Sequence, residues 1–403
     1  MVVKKITYGK NVYNKLEINA VLETLKKTTQ MGKKVELFEK KIAKIFGKKY
    51  GVMVNSGSSA LIIAIRLLNL KKNSEIITPC LNFGTAISSI LLNQCRVKLV
   101  DIKKETLQID EAMIEKKINS KTKALLIPNL IGNIPDWIKI KKIAEKYKLK
   151  IIEDSADTLG ARIKKKPTGT YSDISITSFY GSHIISCAGN GGILLLNNKK
   201  MFKRARILRS WGRQSSIYTN SENIKKRLNY KLQNINYDNK FVFTEIGYNF
   251  EPSEVGAAFG LVQLKKFKTF ESIRKINFLR HRNFFQPFPE YFIMPSILKD
   301  ISTNFLSYPV IIRSNNYFTR NELQKFLEGK NIQTRPIFSG NILRHPAFTE
   351  LLKYNKINNF KNADYIMENG MLLGCHQGLS KTQIDYIHQN ILYFIKQNEK
   401  KYN

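Results

Sequence analysis

The stretch Tyr50 to Leu68, YGVMVNSGSSALIIAIRLL, decides the fold. Its first five residues are apolar and β-prone, so they read as a buried strand. Asn55-Ser56-Gly57-Ser58-Ser59 is a turn, and an apolar helix follows at once over Ala60–Leu68. A strand, a Gly/Ser turn and a helix start form an anion site, because first-turn N–H groups and the helix dipole point at one spot. Taken alone, the turn is equally well a plain serine N-cap.

Working outward, the same unit repeats. Strands read at Glu75–Thr78, Val97–Asp101, Ala124–Ile127 and Lys150–Glu153. Helices read at Thr85–Leu92, Glu111–Ile118 and Asp136–Tyr147. Such alternation predicts βαβ units and a mostly parallel sheet with helices on both faces. Ligands of such sheets bind at the carboxyl ends of the strands. The polar clusters Asn55–Ser59, Asn82-Phe83, Asn129, Asp154–Asp157 and Ser178–His183 all fall there. In IIEDSAD, 151–157, an apolar strand runs into acids, so Asp154 is expected to be buried and to want a cation. In DISITSFYGSHIISCAGNGG, 173–192, His183 sits at the tip of a strand-to-loop turn with a glycine-rich return.

Before the first strand, helices read over Glu17–Thr28 and Val35–Phe46. Beyond His183, Gln214–Lys240 is too polar for core and reads as a long surface excursion. Helical patterns cover Glu254–Leu264 and Val262–Phe284. Then come a strand (Leu306–Ile312), a helix (Arg320–Lys330), a strand (Gln333–Pro336) and closing helices (Ala363–Leu372, Lys381–Gln397). The expected organisation is a large domain over 1–265, with a linking helix and a smaller α/β domain over 266–403.

The chain has 403 residues, of which 43% are hydrophobic, a globular composition. Its net charge is +36, but the lysines are scattered and no aromatic-basic ladder accompanies them, so no nucleic-acid partner is expected. No apolar run is long enough to span a membrane. Cys80, Cys95, Cys187 and Cys375 are too dispersed for a zinc motif or a disulfide framework, and cytoplasm is the default compartment.

Several segments, in order, resemble the sugar-nucleotide aminotransferases of the DegT/StrS type. They are SGSSAL (56–61), Phe83, DIKKETLQID (101–110), KTKALL (121–126), IIEDSADTLGA (151–161), TSF (177–179), NGG (190–192) and GYNFEPSEVGAAFGLVQL (247–264). The resemblance implies the pyridoxal-phosphate fold of type I and a homodimer with shared active sites. It implies that Gly57, Ser58 and Ser178 hold the cofactor phosphate. Asp154 would pair with the pyridine nitrogen, Asp157 would lie near the phenolic oxygen, and Phe83 would cover a ring face. Asn249 would reach the phosphate in the neighbouring subunit.

One position departs from the aminotransferase pattern. Where those enzymes carry the lysine that bonds to the cofactor, this chain has His183, and no lysine lies between Lys166 and Lys199. That exchange marks the sugar 3-dehydratases of the family, which hold pyridoxamine phosphate without a covalent link. The implied substrate is a nucleotide-linked 4-keto-6-deoxyhexose, with His183 as the acid–base group. Arg335, Asn341 and the basic segment 203–213 are candidate sugar-nucleotide contacts. RSWGRQSSIYTNSEN (209–223) and GCHQGLS (374–380) look like the subtype that carries an iron–sulfur cluster. A cluster needs four thiolates, and 209–240 contains no cysteine, so a cluster-free protein with no metal site is expected. Its amine would come from a donor such as glutamate, or its electrons from a reductase. The competing readings are an aminotransferase and a non-catalytic binder of cofactor or sugar nucleotide.

Overall fold

The computed structural model describes residues 5–218 and 221–402. Seven strands form the principal sheet: β1 (Tyr50–Val54), β2 (Glu75–Pro79), β3 (Arg96–Val100), β4 (Thr122–Pro128), β5 (Lys150–Asp154), β6 (Ile174–Ser178) and β7 (Gly192–Leu196). Their spatial order is β1-β7-β6-β5-β4-β2-β3. The β2, β3, β4, β5 and β6 pairings are parallel, and β7 runs antiparallel to both β1 and β6.

Both faces of this sheet are covered. In β4, Ala124 and Leu126 join one apolar cluster while Leu125 and Ile127 join another. Successive side chains of a strand point to opposite faces, so a continuous apolar run is what a twice-covered strand needs. Helices α1 (Lys15–Leu25), α2 (Lys33–Ile45), α3 (Gly57–Leu67), α4 (Gly84–Leu92), α5 (Trp137–Lys146) and α6 (Lys199–Arg209) flank or precede these strands. Helix α3 starts three residues before the expected Ala60, because Ser56 caps it by accepting from Ser59 N–H. Ser58 therefore lies within the first helical turn.

The two helical patterns after residue 254 are one continuous helix, α7 (Glu254–Phe285), so the expected division at 265/266 falls inside it. A second, antiparallel sheet follows, in the order β8-β9-β11-β10, from β8 (Phe292–Ile293), β9 (Ser307–Ile312), β10 (Arg335–Pro336) and β11 (Gly370–Gly374). The expected helix over 363–372 needs correction. Helix α9 (Lys361–Asn369) stops at Gly370, and the next five residues are β11, paired on both sides. Its short apolar run fits either element by periodicity, and pairing to two neighbours selects the strand. Helices α8 (Arg320–Gly329) and α10 (Lys381–Tyr402) complete this part. The surface excursion over 214–240 holds a short helix and the hairpin Tyr230–Leu232/Ile235–Tyr237. None of the helices in the described residues is long and apolar enough to cross a membrane.

Gly192 of the NGG motif is required by close approach. A Cβ there would lie 2.3 Å from the Ser56 carbonyl oxygen and 2.4 Å from the Gly57 nitrogen. Gly192→Ala is therefore expected to push the α3 N-terminus off β7 and cost about 3 kcal/mol of stability by overpacking. Urea unfolding together with a cofactor-binding titration measures both effects. An unchanged midpoint and unchanged affinity would remove this role.

Candidate active site

The carboxyl ends of β5 and β6 and the start of α3 open into one cavity of about 280 Å³. Six residues anticipated from the sequence line it with His183: Gly57, Ser58, Phe83, Asp154, Asp157 and Ser178. Among the other residues that line it are Asn82 and Asn190, which the sequence placed in motifs without giving them a role, and Thr85, Tyr180 and Phe338. Tyr180 could have been suspected from its place inside SFYGSH. Phe338 belongs to the second half of the chain, and nothing in its local pattern marks it. No lysine or arginine lines this cavity among the described residues.

At one end lies an anion cradle. The side chain of Ser178 packs so closely on Gly57 that a Cβ there would come within 2.9 Å of Ser178 Cβ. The hydroxyls of Ser58 and Ser178 thus flank the first turn of α3, whose leading N–H groups have no acceptor within the helix.

On the floor lies a pair of acids. Glu153 and Asp154 are adjacent in β5 but face opposite sides. The carboxylate of Glu153 accepts from Asn129 Nδ2 (3.0 Å), Ser155 Oγ (2.8 Å) and Ser175 Oγ (2.7 Å), and it is fully satisfied in the interior. Asp154 is 7% exposed and accepts one backbone bond, from Ala156 N–H at 3.0 Å. Burial raises its pKa to about 6. Asp157, which accepts from Ile131 N–H at 2.9 Å, is raised to about 7 by burial and by the neighbouring Asp154 charge. No cation pairs with Asp154 among the described residues, so the floor awaits a positive ligand group.

His183 stands on the turn after β6. Its main-chain N–H donates to the Tyr180 carbonyl at 3.0 Å, and the Tyr180 ring meets it edge-on at 5.8 Å. The ring is partly exposed, and Nδ1 is buried without a partner. Burial, with the nearby Arg274 charge, lowers its pKa to about 4. The ring is therefore neutral near pH 7 and able to accept a proton. Phe83 is 56% exposed at the rim, with Phe338 edge-on at 6.2 Å. Between them, these two rings form an apolar edge for a flat ligand.

Three anticipated residues lie elsewhere. Asn249 is exposed, forms a backbone bridge with Ser210, and does not line this cavity. Arg335 is exposed in β10. Asn341 is corrected: it is fully buried, and its side chain is spent inside the protein. Its Oδ1 accepts from Leu343 N–H (3.1 Å) and Cys80 Sγ (2.8 Å), and its Nδ2 donates to Asp364 (2.7 Å). Asn341→Ala is expected to cost about 2 kcal/mol by unpairing these groups and to leave substrate KM unchanged. A several-fold rise in KM in the folded variant would restore it as a substrate contact. The four cysteines are all buried and free, and among the described residues no three His, Cys, Asp or Glu side chains converge as metal ligands.

A helix-start anion cradle, a buried acid without a cation and an apolar rim, on a mostly parallel sheet, define a fold-type-I pyridoxal-phosphate enzyme. The chain belongs to the DegT/DnrJ/EryC1/StrS aminotransferase family, whose model matches residues 12–392. Among its relatives is a GDP-4-keto-6-deoxy-D-mannose 3-dehydratase of Escherichia coli O55:H7, 30% identical over 94% of this chain and 97% of that protein. A dTDP-4-amino-4,6-dideoxy-D-glucose transaminase of Shigella dysenteriae is 31% identical, over 91% of each chain. A solved GDP-4-keto-6-deoxymannose 3-dehydratase holding a trapped PLP-glutamate geminal diamine superposes with a TM-score of 0.84. It is 29% identical, covering 95% of this chain and 99% of that one.

The cofactor is pyridoxal 5′-phosphate or its amine form, and the residues present fit it. The cradle suits the phosphate, the unpaired Asp154 suits a protonated ring nitrogen, and the rim formed by Phe83 suits a ring face.

Proposed function

We propose that this chain is a 3-dehydratase that removes the C3 hydroxyl from a nucleotide-linked 4-keto-6-deoxyhexose, using pyridoxamine phosphate held without a covalent bond. One observation carries the reading: His183, the residue that the resemblance puts at the lysine place, lines the cavity, and no lysine among the described residues lines it instead. When bound, the cofactor supplies an amine for the keto carbon and a ring that accepts the released electrons.

The chain's own residues do the rest. Ionised Asp154 holds positive charge at the ring nitrogen. Gly57, Ser58 and Ser178 fix the phosphate, and Phe83 keeps water from one face. Asp157, fixed by Ile131 N–H, faces the phenolic side. Neutral His183 takes a proton at its ring nitrogen and returns it to the oxygen leaving C3. A lysine there would compete for the cofactor carbonyl, so imidazole favours elimination over amine transfer. The dehydratase relatives at 29–30% identity support the substrate class, and a Salmonella typhimurium relative named a lipopolysaccharide biosynthesis protein, 31% identical over 87% of this chain, supports surface-polysaccharide synthesis as the context. The geminal diamine in the solved relative supports glutamate as amine donor. Asn249, exposed and outside its own chain's cavity, fits a homodimer in which it serves the partner's phosphate. Arg335 is an exposed candidate contact for the nucleotide.

The second reading is a sugar-nucleotide aminotransferase, favoured by the Shigella transaminase at 31% identity. Mass spectrometry separates the two after incubation with GDP- and dTDP-4-keto-6-deoxyhexoses, pyridoxamine phosphate and glutamate. Loss of the C3 oxygen is expected. A product that keeps it and gains an amine at C4 would sink the dehydratase reading.

A further inference from the structure

The turn that carries His183 is fastened from behind by Arg274. This residue lies within α7 and is fully buried. It forms no ion pair with a described carboxylate. Instead, Nε donates to Gln377 Oε1 at 2.7 Å, and Nη1 donates to the carbonyls of Phe305 and Leu306 at 3.0 Å each. Nη2 reaches the His183 carbonyl at 3.5 Å, and Gln377 Nε2 reaches the Ile184 carbonyl at the same distance. One guanidinium thus ties four segments together: the long helix, the entry to β9, the loop after β11, and the His183 turn.

Burying a cation without a counterion costs several kcal/mol, and carbonyl dipoles offset only part of it. An apolar side chain would fill the same space at lower cost. What it could not supply is a rigid fork of donors for several carbonyls at once, or a positive charge beside the imidazole. Nδ1 of the ring has no hydrogen-bond partner of its own.

We propose that Arg274 is a positioning residue for His183, fixing the main chain of its turn, with Gln377 as a second tether. Burial and the Arg274 charge both act to lower the His183 pKa, while the Ser178 backbone acts to raise it. The other titratable groups around this joint are Tyr8 of the lead-in, Asp154 and Asp157 after β5, Tyr180 of the turn, and Cys375 and His376 after β11. Tyr8 and Cys375 are held neutral by burial, so neither offsets the Arg274 charge.

The inference rests on His183 being the proton carrier, but its test does not need the reaction. The chain has five histidines. In ring-labelled, cofactor-free protein, the His183 signal is assigned by its loss in His183→Gln. Wild-type His183 is expected to stay neutral between about pH 5 and 8. In Arg274→Gln its midpoint should rise, because a nearby positive charge is removed, and kcat should fall roughly tenfold with little change in KM. Arg274→Lys keeps the charge and loses the fork, so the ring should stay neutral while kcat still falls about tenfold. Wild-type titration and wild-type kcat in folded Arg274→Gln would overturn the proposal. Should that variant not fold, full kcat in Arg274→Lys would overturn it. A product retaining its C3 oxygen would remove the dehydratase reading and leave the ring titration to decide this inference by itself.

Discussion

His183→Lys protein, mixed with pyridoxal phosphate, is expected to bind it covalently, absorb in the visible and keep about one cofactor per chain through gel filtration. The wild type should release its cofactor under the same conditions. The new amine would stand on the same turn, within the cavity that holds Asp154 and Asp157. Burial and the nearby Arg274 charge, which lower the His183 pKa, also favour the free amine there, so the bond should form near neutral pH. Dehydration should fall by at least roughly a hundredfold, the usual worth of a positioned general base. Any residual product should carry nitrogen at C4. Absence of a visible band in a folded variant would mean that His183 does not occupy the lysine place, and the proposed chemistry would go with it.

Asp154→Asn should split stability from function in opposite directions. In the cofactor-free protein, burial raises the Asp154 pKa from 3.8 to about 6. At pH 7 the native state must hold an unpaired carboxylate whose ionisation costs about 3 kcal/mol, at 1.36 kcal/mol per unit. The sign follows from proton binding. Between about pH 4 and 6 the unfolded chain releases this proton while the native state keeps it. Stability from this group therefore falls as pH rises through that window and is lowest above it. The asparagine variant, without cofactor, should be more stable by about 3 kcal/mol at pH 7.5, and the gain should vanish near pH 4. Turnover should drop by roughly 10²–10³-fold, because breaking a buried charge pair costs about 3–5 kcal/mol. Urea unfolding at the two pH values and a product assay measure both arms. A destabilised cofactor-free variant would mean that Asp154 has a partner in the fold. Near-wild-type turnover would take it out of the reaction.

The acids after β5 show how far local pattern reaches. IIEDSAD places two adjacent acids at a strand end, and alternation alone makes one face each way. Which of them is satisfied is not local information. Asn129, Ser172 and Ser175 come from two other segments to saturate Glu153, and nothing comparable reaches Asp154. Asn341 is the converse case. Read from the sequence it is a candidate sugar-nucleotide contact, but its partners Asp364 and the distant Cys80 draw it into the core. Likewise β11 has an apolar run too short to separate helix from strand, and its neighbours β9 and β10 decide it.

The sequence by itself determined the alternating α/β sheet, the Gly/Ser turn into a helix after β1, the acid pair, and the imidazole on the turn after β6. Each of these is written in contiguous residues, where periodicity and turn chemistry act over a few bonds. Only the tertiary structure decided that Phe338 closes the cavity rim, that Asp154 stays unpaired and that Arg274 buttresses His183. Those outcomes depend on which distant donors and rings arrive at one place, and chain separation, here 91 residues between Arg274 and His183, leaves no local trace of such meetings.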